Sequence, residues 1–226
     1  MDWEIFIFFA IISYLVSLAF KGKFNKYLQI PMQYSMTGRD VARAMLIDNG
    51  IIDVKVTMAR GFLTDHYNPM TKTIALSPVV YNGNSVASAA VAAHETGHAV
   101  QHHKGYVWVK VRSALVPLVQ LGAKISSWVI FGGMFFIHTD PEIMILGIGS
   151  YALTVIFSFV TLPVEFDASR RALRWLYSKG LLTGEYYSMA KDALRWAAMT
   201  YVVAALTSLA TLIYYLLVFF KSKRDK

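Results

Sequence analysis

Four long apolar runs constrain the fold of this chain more than any other feature of its sequence. They occupy residues 3–20, 114–137, 143–162 and 197–220, and each is long enough to cross a bilayer as a helix. Hydrophobic residues make up 56% of the 226 residues, a fraction too high for a soluble protein of this size. The sequence therefore predicts a mainly α-helical integral membrane protein with about four transmembrane helices and multiple passes through the bilayer.

The apolar runs leave two stretches that are polar enough to face water. We expect the first run to be a retained span rather than a removable signal, since no basic residue precedes it. Pro163 is expected to end the third span, because proline breaks the helical hydrogen-bond ladder. The predicted order is transmembrane helix 1 (residues 1–20), a water-facing region (21–113), transmembrane helix 2 (114–137), transmembrane helix 3 (143–164), a second water-facing region (165–196), transmembrane helix 4 (197–220) and a basic tail (221–226).

The positive charges predict the orientation of the spans. Most of the lysines and arginines lie in the two water-facing regions, beginning with Lys21, Lys23 and Lys26, so we expect both regions on the cytoplasmic side. A fourth span would place the basic tail outside, against the same rule, and the side of the tail stays open. These charges flank apolar segments and form no patch, so no nucleic-acid partner is expected; the lipid bilayer is. The absence of cysteine excludes disulfides and thiolate chemistry.

The first water-facing region predicts a small α/β arrangement. Thr37 caps a short helix that stops at residues 49–50, and residues 65–69 form a turn. Residues 52–57 and 71–76 alternate as two short strands, of which one is expected at the edge of a sheet. A further helix, rich in alanine, is expected from residues 84–85 to about His103.

That alanine-rich helix carries the pattern His-Glu-x-x-His. Residues four apart lie on one face of a helix, so His94 and His98 can present their imidazoles to one metal ion. Glu95 lies about 100° further around the helix and can reach a water there without ligating the metal. Two imidazoles and a carboxylate suit Zn²⁺ with one open position, at which Glu95 would act as general base.

A catalytic zinc site needs a third protein ligand, and Glu165 is the best candidate. It lies where the chain returns to the motif side, on a helix that Gly97 and Ala168 would allow to pack closely. His102 lies too far along the motif helix, and the acidic and histidine residues at 138–142 lie a membrane thickness away. Asp167 is not expected to bind the metal itself; we expect it to contact one of the ligand histidines and hold that ring in place. The alternative is that both carboxylates only complement a helix dipole.

Three segments carry a resemblance to a known family: residues 65–69 (Asp-His-Tyr-Asn-Pro), 93–101 around the motif, and 162–168. The chain resembles the bacterial neutral zinc metallopeptidases of the YugP type, membrane members of the gluzincins, and is more distantly similar to the HtpX and Ste24 peptidases. The resemblance implies a zincin-like, minimal gluzincin core with one zinc ion held by two histidines and a glutamate. Many gluzincins carry aspartate where this chain has Ser169, four residues after the ligand glutamate.

The resemblance also implies how a substrate would be held. Gluzincins bind peptide along an edge strand above the motif helix. His66 is our first candidate for stabilising an oxyanion. The stretch that matches the substrate strand is Thr71, Lys72, Thr73, Ile74, Ala75 and Leu76.

The sequence as a whole predicts a membrane-embedded, zinc-dependent metalloendopeptidase of the bacterial inner membrane. Its substrate would be a peptide or a membrane protein, hydrolysed with Glu95 as the base. The alternative is a non-catalytic metal-binding scaffold or regulator, which would need the metal ligands but not Glu95. A transporter is disfavoured because the spans contain few ionisable groups. The sequence does not indicate an oligomeric state.

Overall fold

The structure, a computed structural model, describes residues 2–135 and 141–224 and is dominated by helices. Residues 138–140, in the predicted connection between the second and third spans, lie outside these ranges. The elements in chain order are α1 (Asp2–Leu28), α2 (Gly38–Asp48), β1 (Lys55–Met58), β2 (His66–Asn68), β3 (Thr73–Leu76), α3 (Pro78–Tyr81), α4 (Val86–His103), α5 (Val107–Phe135), α6 (Pro141–Ser178) and α7 (Gly184–Arg224).

Three helices in the described ranges are long and apolar enough, by length and composition, to cross a membrane. They are Glu4–Leu28, Pro141–Ser178 and Gly184–Arg224. The second predicted span falls in α5, which, over the residues that the structure describes, is not one of these three helices. The chain is therefore a mainly α-helical membrane protein, and three of its four predicted spans are supported.

Two helices continue through positions where the sequence predicts breaks. The helix does not end at Pro163, which lies inside the uninterrupted helix α6, although the two compact units divide between Leu162 and Pro163. Proline removes one hydrogen bond of the ladder, but buried side chains on both sides of it, Val160 and Val164, hold the helix in place. Likewise, helix α7 begins at Gly184, inside the predicted second water-facing region, and continues without a break through the fourth predicted span.

The chain divides into two compact units, of which one contains the apolar helical segments Met1–Leu15, Lys110–Leu162 and Tyr201–Lys226. Glycines bring α5 and α6 together within this unit. A Cβ on Gly133 would lie 2.9 Å from the backbone of Met144, and a Cβ on Gly147 would lie 2.7 Å from the side chain of Ile130. Small residues thus permit close helix packing in the apolar unit.

The second unit, Val16–Val109 and Pro163–Thr200, contains a three-stranded sheet. The strand order is β1-β3-β2, with β1 parallel and β2 antiparallel to β3. The strand predicted over residues 71–76 is therefore central, and the expectation that it is a free edge is wrong. The turn predicted over 65–69 is also wrong, since His66–Asn68 forms β2; three residues are too few for alternation to reveal a strand.

Helix α4 lies in the core of this second unit. Its alanines are buried around its whole circumference, as expected for a helix enclosed by other elements. Leu76 of β3, Val80 of α3, Val41 of α2 and Leu176 of α6 belong to the same buried cluster. The polar residues of α4 are thus held in a rigid, closely packed environment.

Asp48 joins the end of α2 to α6 in the same unit. Its Oδ2 accepts hydrogen bonds from Trp175 Nε1 (2.7 Å) and pairs with Lys179 Nζ (2.9 Å). The hydrogen bond from Lys179 lowers the pKa of the Asp48 carboxyl, assisted by Trp175 and opposed by partial burial.

We expect Asp48→Asn to lower the free energy of unfolding by about 0.5–1 kcal/mol at neutral pH. Because the folded carboxyl has the lower pKa, its stabilisation is present above the unfolded pKa, about 4, and is lost as pH falls through the folded value. Thermal unfolding of detergent-purified protein and variant across pH 3–7 would measure this. A stability difference that stays constant down to pH 3 would contradict it.

Candidate metal centre

The motif histidines are placed by the local rules of helix α4. Ser85 caps the helix by accepting a hydrogen bond from the backbone N–H of Ser88, which confirms the predicted start. His94 and His98 lie one turn apart on the same face, with ring centroids 4.8 Å apart and the rings nearly perpendicular. Both side chains are largely buried, with 14% of each exposed.

Helix α6 brings Glu165 to the two histidines. Its side chain is 4% exposed and its Oε2 lies 3.3 Å from His94 Nε2 and 3.5 Å from His98 Nε2. Gly97 permits this approach, because a Cβ at that position would lie 2.7 Å from the backbone oxygen of Ala168. The glycine of the motif thus sets the spacing between α4 and α6.

The three donors fit a zinc ion. Zinc bonds of about 2.0–2.2 Å in a tetrahedron put neighbouring ligand atoms about 3.3–3.6 Å apart, as observed between Glu165 and each histidine. The ligand atoms of His94, His98 and Glu165 all lie within 4.8 Å of one another. Two imidazoles and one carboxylate are a ligand set of catalytic zinc sites, which leave a fourth position open.

The other ring nitrogen of each histidine has a polar partner. His94 Nδ1 lies 3.1 Å from Ser169 Oγ, and His98 Nδ1 lies 3.1 Å from Gln101 Oε1. With Nδ1 engaged in this way, each ring turns Nε2 towards Glu165. Both outer partners come from the two helices that also supply the candidate ligands.

Glu95 is buried beside this cluster, with 9% of its surface exposed. Burial raises the pKa of its carboxyl; the nearby His94 and His98 act against the increase, and the Glu165 charge adds to it. A carboxyl with a raised pKa is a better proton acceptor than an ordinary surface glutamate. Because Glu95 follows His94 directly in the helix, its carboxyl lies close to the three candidate metal ligands but is not one of them.

Comparison with known proteins decides the family. A family model described as "Putative neutral zinc metallopeptidase" matches residues 3–220. The chain belongs to this family. It is also 35% identical over 225 residues, 98% of this chain and 99% of the other, to the protein named "Putative membrane protease YugP" from Bacillus subtilis (strain 168). No solved structure matches the chain.

Membership of the neutral zinc metallopeptidase family agrees with the cluster of His94, His98 and Glu165, which the sequence predicted as zinc ligands. Asp167 lies close by but occupies a different place from the one predicted. Asp167 does not contact a ligand histidine directly. Gln101 lies between Asp167 and His98, and its Nε2 donates a hydrogen bond to Asp167 Oδ2 (2.9 Å).

The residues predicted to act on substrate lie on the sheet. His66 is exposed on β2, and its Nδ1 lies 2.8 Å from the backbone oxygen of Thr64; its role at an oxyanion stays a prediction. The predicted substrate strand, Thr71–Leu76, corresponds to β3, whose two sides are paired with β1 and β2. Peptide addition to β3 is therefore excluded in this arrangement, because it has no open edge.

Sequence reasoning missed two polar residues of the site. Gln101 was included in the motif segment without a role, although a glutamine three residues after a ligand histidine lies on the same helix face. Ser169 was noted only as a departure from the gluzincin pattern, yet it lies at hydrogen-bond distance from His94. The available signal for Ser169 was its spacing of one helical turn from Glu165.

Proposed function

We propose that this protein is a membrane-embedded, zinc-dependent metalloendopeptidase of the gluzincin type, with one zinc ion per chain. The proposal rests on three side chains from two helices that are placed to bind one metal ion: Glu165 Oε2 lies 3.3 Å from His94 Nε2 and 3.5 Å from His98 Nε2. The buried Glu95 lies beside them. The family and the relative named as a membrane protease support it. A structural zinc site would need the ligands but no buried carboxyl next to them.

The residues of the site would have different roles in the reaction. His94, His98 and Glu165 would hold the ion, and a zinc ion supplies Lewis acidity that lowers the pKa of water and polarises a peptide carbonyl. Glu95 would accept a proton at its carboxylate from the attacking water and return it to the departing amine nitrogen. The peptide bond is thereby replaced by a carboxyl and an amine, with one water consumed.

Substrate would be a peptide or a segment of a membrane protein, bound in extended form. Since β3 is central, the candidate edge becomes β2, whose Tyr67 hydroxyl reaches towards His102 of α4 at 3.5 Å. An exposed strand edge offers main-chain hydrogen bonds to an extended peptide. We further propose a bacterial inner-membrane location with the site on the cytoplasmic side, from the distribution of lysine and arginine.

Metal removal tests the proposed function directly. We expect detergent-purified protein to contain one zinc per chain and to cleave an unfolded protein or a quenched fluorescent peptide. Dialysis against a chelator should abolish cleavage, and one equivalent of zinc should restore it. Zinc bound at one per chain, with no cleavage of a broad peptide library, would instead favour the metal-binding scaffold.

A further inference from the structure

Gln101 is a fully buried polar side chain in the second unit, with no part of its surface exposed. Its Nε2 donates to the backbone oxygen of Val164 (2.8 Å) and to Asp167 Oδ2 (2.9 Å), and its Oε1 lies 3.1 Å from His98 Nδ1. A buried amide is retained at low cost only when its groups are hydrogen-bonded. Here each end of the amide has a partner.

These partners permit one orientation of the amide. A backbone carbonyl cannot donate, and Asp167 accepts a hydrogen bond from Arg171 Nε (2.5 Å), as an ionised carboxylate does. Both partners on that side are therefore acceptors, and the NH₂ end of Gln101 must face them. The amide oxygen is left facing His98, and an oxygen of this kind only accepts.

The orientation of the amide fixes the protonation of the imidazole. Because Gln101 Oε1 accepts, His98 Nδ1 must carry a hydrogen, so Nε2, which faces Glu165 at 3.5 Å, is the nitrogen that would bind a metal ion. We propose that Gln101 is a positioning residue that holds His98 in its metal-binding tautomer and orientation. This inference rests on the proposed zinc site and extends it to a residue that does not itself contact the ion.

The anchor points of Gln101 also bracket the third ligand. Val164 and Asp167 lie immediately before and two residues after Glu165 on α6, so one side chain ties the His98 ring to the backbone that presents Glu165. The guanidinium of Arg171 lies 5.6 Å from the ring centre of Tyr106, which further restrains the Asp167 end. Gln101 thus links the position of one ligand to that of another.

His94 is held differently and supplies a matched control. Its Nδ1 faces a single serine hydroxyl, that of Ser169, which can rotate and can either donate or accept. A hydroxyl of this kind does not enforce one tautomer. Removing it should therefore weaken the metal site less than removing the amide of Gln101.

The test is zinc affinity, measured by competition with a chromogenic chelator on the detergent-purified, full-length protein. Gln101→Met keeps length and removes every hydrogen bond, and we expect a 10–100-fold weaker zinc affinity, the usual cost of losing such a partner. Ser169→Ala should weaken zinc affinity less than Gln101→Met does, because a rotatable hydroxyl enforces no single tautomer. Equal losses in the two variants, or no loss in Gln101→Met, would overturn the proposal while leaving the proposed function intact.

A measurement on the unaltered protein covers the case in which Gln101→Met does not fold. In the zinc-loaded protein labelled with ¹⁵N-histidine, NMR should give a protected N–H on His98 Nδ1 and a metal-bound Nε2. Zinc bound through Nδ1 would overturn the proposal. Failure of the unaltered protein to bind zinc would overturn the proposed function and this inference with it.

Discussion

Replacement of Glu95 by glutamine is expected to abolish peptide cleavage while the protein keeps its zinc. Glutamine has the same shape as glutamate but cannot accept a proton from water, and a positioned general base contributes about 10²–10⁴-fold to rate. The carboxyl is buried, with a pKa raised by that burial, so no solvent-exposed group can readily take its place. We expect cleavage to fall by about that factor at unchanged folding.

Zinc content and cleavage rate measured together distinguish this role from a ligand role. Glu165→Ala is the matched variant, because it removes a candidate ligand from a side chain that is also buried. It should lose both zinc and cleavage, whereas Glu95→Gln should lose cleavage alone. Normal cleavage by Glu95→Gln would contradict the assignment of the base, and zinc retained by Glu165→Ala would remove Glu165 from the ligand set.

The sequence alone predicted that the two motif histidines of the candidate metal centre share one face of a helix. The spacing of His94 and His98 determines their common face, since four residues make about one turn whatever surrounds the helix. Glu165 required a further inference, that the chain returns to the motif side after the hairpin. The structure brings it within 3.5 Å of both histidines.

Features that depend on tertiary packing were not predictable in the same way. Pro163 gives a strong local signal for a helix end, but its effect is overridden where flanking residues such as Val164 are buried. The identity of β2 depended on its pairing with the next strand, β3, as His66 with Ala75, because three residues are too few to show a strand by their own alternation. Strand order follows from such pairings, which is why the edge position of β3 was predicted wrongly.

The hydrogen bonds of Gln101 illustrate the same limit within the site. A buried glutamine on a helix has no sequence signature for its partner, because the partner lies 63 residues away at Val164. Asp167 was expected to contact a ligand histidine directly, whereas the amide of Gln101 separates it from His98. To predict the hydrogen bonds from Asp167 through Gln101 to His98, one would need to know the relative positions of α4 and α6 to a fraction of an ångström.

Gly97 controls that placement, and its replacement by alanine is expected to damage both stability and metal binding. The added Cβ would lie 2.7 Å from the Ala168 oxygen, so α4 and α6 must separate by about 0.5–1 Å to reach ordinary contact distance. Overpacking of this kind costs about 1–3 kcal/mol. Zinc sites tolerate deviations of only about 0.2 Å in ligand distance, so zinc affinity should fall at least about tenfold as Glu165 moves away.

Gly22→Ala is the control for the change of residue itself. Gly22 lies inside α1, and a Cβ there would meet nothing within 4 Å, so the higher helix propensity of alanine should stabilise the protein by up to about 1 kcal/mol. The two substitutions are chemically identical and should shift the unfolding temperature in opposite directions. Unfolding measured in zinc-free and zinc-loaded protein separates the packing cost from the metal effect, because only Gly97→Ala should lose the extra stability that zinc gives. A Gly97→Ala protein with unchanged zinc affinity would mean that the α4–α6 contact does not set the ligand geometry.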